Sequence, residues 1–320
     1  MSGNRTNPSL PRSRGALSAA VIGYLRDDGP LPDPAGAYDA DPYGDDLQLA
    51  LHVCYELHYR GFARVRPELE WDPPLLTVRA AFEDRFLTAL RRDATGTAAP
   101  DELLDGLLVE PVRGTGVSWF LQDRGDLRHV RDYAIQRSLY HLKEADPHAW
   151  VLPRLSGRAK AGMAAIEYDE FGAGRAERVH ARLFADLMDD LGLDTAYGAY
   201  LDEGRAPMLA LVNVMSLFGL HRSLRGSLVG HFAAVEITSS PASRRLANAM
   251  KRTGAGPAAE FFYTEHVEAD AVHEQVVRRD VVGGLLDDEP GLAADIAFGV
   301  TATSFLEDRL GDRLLADWQT

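Results

Sequence analysis

The sequence predicts an all-α helical bundle behind an irregular N-terminal arm. Three observations carry that prediction. From Asp46 onward apolar residues recur at helical spacing, strand-like alternation is scarce, and no internal repeat is visible. With 320 residues, 46% of them hydrophobic, the chain can bury a sizeable core. It divides into an arm, residues 1–44, read as flexible or wrapping, and a helical domain over 45–320.

The arm is rich in Pro, Gly, Asp and Ser (DDGPLPDPAGAYDADPYGDD), and only ALSAAVIGYLR, around residues 16–26, suits a short helix. Leu47–Tyr59 then carries apolar residues at helical spacing, and Leu75–Leu90 follows behind Pro73-Pro74, which pre-set the first turn. A third helix, about 126–145, stops at Asp146-Pro147. Asp146 is read as the cap of the next helix, which runs through AKAGMAAIEYDEF with Pro153 as an internal kink. FGAGR interrupts the pattern before ERVHARLFADLMDDLG resumes it. PMLALVNVMSLFGL is apolar all round, as a central buried helix would be. The next helix, about 224–238, ends at Thr238-Ser239-Ser240-Pro241, and another runs from Pro241 to Gly254. Pro257 opens a long helix reaching Gly283-Gly284, and a last one spans about Pro290 to Trp318.

Thirty-four Lys and Arg against 48 Asp and Glu give a net charge of −14, which argues against nucleic acid or an anionic membrane as a partner. The single cysteine, Cys54, excludes a disulfide framework and thiolate zinc or iron–sulfur sites, which need several Cys. The first residues, MSGNRTNPSLPRSRG, lack the apolar core of a signal peptide, and no apolar run approaches the length that spans a bilayer. A soluble, cytoplasmic protein is expected.

The chemistry-bearing pattern is His266, Asp270 and His273. At about 100° per residue, positions i, i+4 and i+7 share one helical face over two turns. Two imidazoles and a carboxylate suit non-haem iron, though three such ligands would equally serve zinc or manganese. Partners must come from facing helices. His180 follows the glycine break, Glu170 precedes it, and Glu236 is the only acid in the apolar run HFAAVEITSS. A carboxylate there needs a partner or a metal, because burying it alone is costly. Glu144 sits just before Asp146-Pro147. Glu177 and His180 form a same-face E-x2-H pair, so Glu177 competes with Glu170, which can join His180 only if FGAGR bends the chain.

At these residues the sequence resembles the haem-oxygenase-like di-iron oxidases and oxygenases, also described as iron-containing redox enzymes. The matching segments are YHLKEADPHAWVLPRLSGRAKA, EYDEFGAGRAERVHARLF and FFYTEHVEADAVHE, and the resemblance covers roughly residues 45–315. It implies a haem-oxygenase-like bundle and two iron ions held by Glu170, His180, Glu236, His266, Asp270 and His273. N-oxygenating members add a carboxylate, and Glu144 falls where it would lie. Members with the short spacing keep Glu177 as the alternative ligand. Haem oxygenase proper takes its haem ligand from near the start of its first helix; His52 and His58 sit in the first main helix here, but the di-iron set argues for no haem.

The resemblance also implies O₂ as co-substrate and a small-molecule substrate. The reaction would be N-oxygenation of an amine or guanidine, or oxidative C–H or C–C cleavage of an amino acid or fatty acid, with an external electron donor. Glu144 leans the choice towards N-oxygenation. Arg154 and Arg158 are candidates to grip a substrate carboxylate. The rival readings are a non-catalytic iron-storage protein and a metal-free cofactor-processing protein on the same scaffold. A homodimer is compatible with the sequence without being readable from it.

Overall fold

The computed structural model describes residues 7–96 and 98–319. Within the arm, α1 (Ala16–Asp27) buries Leu17, Val21, Ile22 and Leu25 and packs on α2 (Asp45–Glu56). No side chain of its own caps α1. Instead Asp46 reaches back and accepts from the backbone N–H of Leu17 (2.9 Å) and Ser18 (2.8 Å) and from the Ser18 hydroxyl (2.6 Å). A carboxylate at a helix N-terminus satisfies orphan donors and complements the helix dipole. Further along, α3 (Pro73–Asp93) starts behind Asp72, whose side chain accepts from Leu75 N–H. The short helices α4 (Pro100–Leu107) and α5 (Val117–Asp123) have no counterpart in the sequence reading.

After α6 (Leu127–His141) the expected single helix breaks into three pieces. These are α7 (Asp146–Ala149), a 3₁₀ turn at Leu152–Arg154, and α8 (Gly157–Glu170). Pro153 sits in the turn rather than kinking a continuous helix, and Gly157 at φ +50° opens α8. Asp146 is not a cap. The residue before α7 is Ala145, held at φ +74°, a left-handed conformation that costs a non-glycine residue roughly 1–2 kcal/mol. After Glu170 the segment Gly172-Ala173-Gly174 is left-handed throughout (φ +73°, +52°, +80°), and the chain doubles back into α9 (His180–Asp190).

The central helix is α10 (Ala206–Leu220), buried on nearly every side. Beside it α11 runs unbroken over Arg225–Thr253, where the sequence suggested two helices meeting at Pro241. Glu236 and Ile237 before the proline and Ser243, Leu246, Ala249 and Met250 after it all stay buried. That continuous packed face outweighs the one backbone bond the proline removes. α12 (Pro257–Val276) passes through a π segment, Val277–Val282, into α13 (Gly283–Asp288), and α14 (Ala293–Trp318) closes the bundle. α11 lies between α12 and α14. Towards α14 the backbones nearly touch: a Cβ on Gly230 would strike the Ile296 carbonyl, and one on Gly299 the Ser227 carbonyl. The described residues contain no strand, and no helix among them is long and apolar enough to cross a membrane.

Candidate metal centre

The three-residue face of α12 points inward. His266, Asp270 and His273 are all buried. His266 Nδ1 lies 2.7 Å from the carbonyl of Phe262, one turn earlier, and must donate to it, which leaves Nε2 as the ring atom free to meet a metal. Nε2 is buried with no hydrogen-bond partner, and so is Asp270 Oδ2. His273 Nδ1 lies 3.1 Å from Glu236 Oε2, 3.5 Å from Asp270 Oδ1 and 3.7 Å from Glu170 Oε1.

Four further side chains converge on this face from other elements. Glu170 ends α8 and His180 begins α9. The left-handed Gly172–Gly174 turn folds them together, so that His180 Nδ1 stands 2.7 Å from Glu170 Oε2. That contact is short yet off the line of a donated N–H, so His180 Nδ1 remains unpartnered. Two ligand-type atoms facing each other in this way suit a shared cation better than a hydrogen bond. Glu236 comes from α11. Glu144 comes from the turn after α6, where Oε1 lies 2.8 Å from His141 Nδ1 and 3.8 Å from His266 Nε2, while Oε2 is buried without a partner.

Two groupings result. Ligand atoms of Glu144, Glu170, His180 and His266 lie within 4.8 Å of one another, as do those of Glu170, Glu236 and His273. Glu170 belongs to both. Asp270 falls outside either grouping but lines the same cavity as Glu144, Glu170, Glu236 and His266.

The electrostatics are those of charges packed without enough solvent. Burial opposes charge on His266, but Glu144, Asp270 and Glu170 outweigh it and hold the imidazole at about 10. Burial likewise opposes charge on His273, which Asp270, Glu236 and Glu170 raise to about 11. Glu236 is pushed up to about 8, by burial first and then by its acidic neighbours. Burial also acts against Glu144, yet His141 and His266 hold it well below the usual carboxylate range. Six of the seven sequence-proposed metal ligands thus enter the two groupings, and the seventh, Asp270, borders them.

Three residues singled out in the sequence lie away from the two groupings and the cavity. Glu177 is exposed on a 3₁₀ turn, Ala176–Arg178, because the glycine break turns that segment outward and gives its place to Glu170. Arg154 donates to the carbonyls of Gly219 and Leu220, tying the chain after α7 to the end of α10. Arg158 is half-exposed and paired with Asp287. Neither arginine lines the cavity. His58 is bound to Glu70 (3.1 Å) and Arg79 (2.5 Å), and buried His52 lines a separate hollow with Glu56 and Tyr197.

Sequence reasoning passed over His141 against Glu144, and Tyr140 and His148 in the cavity wall. All three stand in the quoted segment YHLKEADPHAW, so the signal was present but had no distinguishing spacing. It also missed Glu167, one turn before Glu170, whose two carboxylate oxygens are both buried and unpartnered.

A sequence model of the family described as iron-containing redox enzymes matches residues 131–308, more than half of the chain. The chain belongs to that family. All seven proposed metal ligands fall within the matched stretch. Membership brings oxidoreductase chemistry and iron, and the bundle just described is the family's haem-oxygenase-like architecture. No curated protein matches the chain.

Proposed function

We propose that the chain is a non-haem di-iron oxidoreductase that activates O₂ and oxidises a small metabolite in the cytoplasm, drawing electrons from an external donor. The observation that supports it best is the pair of groupings sharing Glu170, because a carboxylate common to two ligand sets is what a two-metal site requires. The unpartnered atoms fit that reading: His266 Nε2, His180 Nδ1, Glu144 Oε2 and Asp270 Oδ2 are buried polar atoms with nothing to bond. Polar atoms left so in the interior carry a desolvation penalty that bound cations would remove.

When bound, two irons would supply the electrons and open coordination positions for reducing O₂. The residues of this chain do the rest. Phe262 O fixes the His266 tautomer. His141 orients Glu144, and Glu236 lies within hydrogen-bond distance of His273. The cavity is closed enough to hold little more than about one water, which excludes bulk solvent from the bound group. Glu144, an additional carboxylate, inclines the reaction towards nitrogen oxygenation rather than carbon–carbon cleavage.

Purified protein reconstituted anaerobically with Fe(II) and exposed to O₂ tests the reading. Expected are about two irons per chain and iron-dependent O₂ uptake, both lost in His266→Ala and His273→Ala. Less than about one iron per chain after reconstitution overturns it.

A further inference from the structure

The imidazole of His273 has carboxylates at both of its nitrogens. Nδ1 faces inward, where oxygens of Glu236, Asp270 and Glu170 lie at 3.1, 3.5 and 3.7 Å. Nε2 faces the other way and lies 3.4 Å from Oδ2 of Asp169, within hydrogen-bond reach. The His273 side chain is 2% exposed and that of Asp169 55%, so this contact runs from the centre to the edge of the solvent. His273 is the only ion-pair partner of Asp169 among the described residues.

The end of α8 explains the arrangement. Asp169 and Glu170 are consecutive in its last turn, and about 100° separates neighbouring helical positions. Two adjacent acids therefore cannot point the same way. Glu170 takes the inward direction, and Asp169 turns to the outer edge of the ring, so that α8 grips the imidazole at both nitrogens. Tyr168 steadies this end by donating from its hydroxyl to Ala173 O in the left-handed turn (2.9 Å). His266 is held differently, because its outer nitrogen meets the neutral carbonyl of Phe262 on its own helix. One ring is braced by a dipole and the other by an anion.

We propose that Asp169 is a positioning residue for the metal centre: it accepts the Nε2–H of His273 and so presents Nδ1 to an ion shared with Glu170 and Glu236. This rests on reading those side chains as metal ligands. Binding at Nδ1 displaces the proton there and keeps the one on Nε2, for which Asp169 is the acceptor in reach. The opposite orientation, with the ion at Nε2, would leave the three inward carboxylates on the far side of the ring. A carboxylate on the outer N–H fixes the rotation of the ring and makes it a stronger donor. Partial exposure of Asp169 screens the bond, which sets the expected effect on affinity at about tenfold, the lower end for such partners.

Zn(II), which is diamagnetic and accepts the same imidazole and carboxylate donors, is the probe. In zinc-loaded protein carrying isotope-labelled histidine, long-range nitrogen–proton correlation should show His273 bound through Nδ1 and protonated at Nε2, the signal being assigned by its absence from His273→Gln. By chelator competition, Asp169→Asn, which keeps an acceptor but removes the charge, should weaken the binding step that depends on His273, and Asp169→Ala should weaken it further, by about tenfold or more. Zinc on Nε2 overturns the proposal, and so does an Asp169→Ala protein that binds zinc as the wild type does. Should Asp169→Ala fail to fold, the nitrogen bound in the wild type decides alone. A chain that takes up neither zinc nor iron overturns the metal reading itself, whereas metal held by the wrong nitrogen overturns only the role given to Asp169.

Discussion

Glu170 sits where two sets of ligand atoms overlap, and it reaches that place only because three left-handed residues follow it. Its loss should therefore differ in kind from the loss of His180, which belongs to one grouping. Glu170→Ala should reduce iron to below about half the wild-type content, whereas His180→Ala should retain about half, as read by metal analysis after anaerobic loading. The metal-free protein should also betray its crowded acids and imidazoles through pH. Glu236 and Glu167 keep protons up to about 8 and about 9, and His266 and His273 to about 10 and about 11. The unfolded chain releases those protons earlier, so stability falls as pH rises through these values. His231, lowered to about 4, works the other way, losing stability as pH falls below the ordinary histidine range. Above about pH 6.5 all these slopes share one sign, so the melting temperature of metal-free protein should fall steadily to pH 9. Iron, whose binding displaces the protons, should flatten the decline. At this scale the sequence revealed His266, Asp270 and His273 through spacing alone. It could not separate Glu170 from Glu177, because the choice hangs on backbone dihedrals that three residues adopt together, nor single out Asp169, whose meaning comes from a neighbour distant in sequence.

Among the elements, α11 does most to hold the centre, since it carries Glu236 while its backbone rests against α14. Gly230→Ala would drive a methyl group into the Ile296 carbonyl. Such overpacking against backbone should cost roughly 3 kcal/mol, measured by denaturant unfolding, and Gly299→Ala should behave alike. A second prediction concerns α1, whose first donors are satisfied by Asp46 from another helix. Asp46→Ala should cost about 1–2 kcal/mol by the same measurement, close to the loss of an ordinary helix cap. Element existence was legible wherever a long apolar period ran between Pro and Gly. Continuity was not. Pro153 reads in sequence as a kink inside one helix and Pro241 as the boundary between two, yet the chain breaks at the first and α11 passes through the second, because the buried face of α11 resumes beyond its proline.

At the scale of the whole molecule, the proposed ligands come from α8, α9, α11, α12 and the turn after α6, so holding metal ties together parts of the chain far apart in sequence. Iron bound only by the folded chain should stabilise it by mass action, about 2.7 kcal/mol at a hundred times the dissociation constant. A melting temperature that rises with Fe(II) in the wild type and stays flat in His273→Ala would show this coupling. The turn bearing Glu144 is itself braced from a distance. Lys143 is buried and donates to Glu56 at 3.0 Å, anchoring that turn to α2.

The π segment at Val277–Val282 bears on how this bundle tolerates change. A π turn absorbs an extra residue without breaking the helix, and therefore shifts the angular register of everything beyond it by about 100°. Upstream lies the ligand face of α12; downstream lie Gly284 and Leu285, packed in the core. The two faces are thereby set independently. A one-residue deletion within 277–282 that restores α-helical pitch would have to rotate one face out of place, whereas compensated length changes confined to this segment leave both oriented as they are.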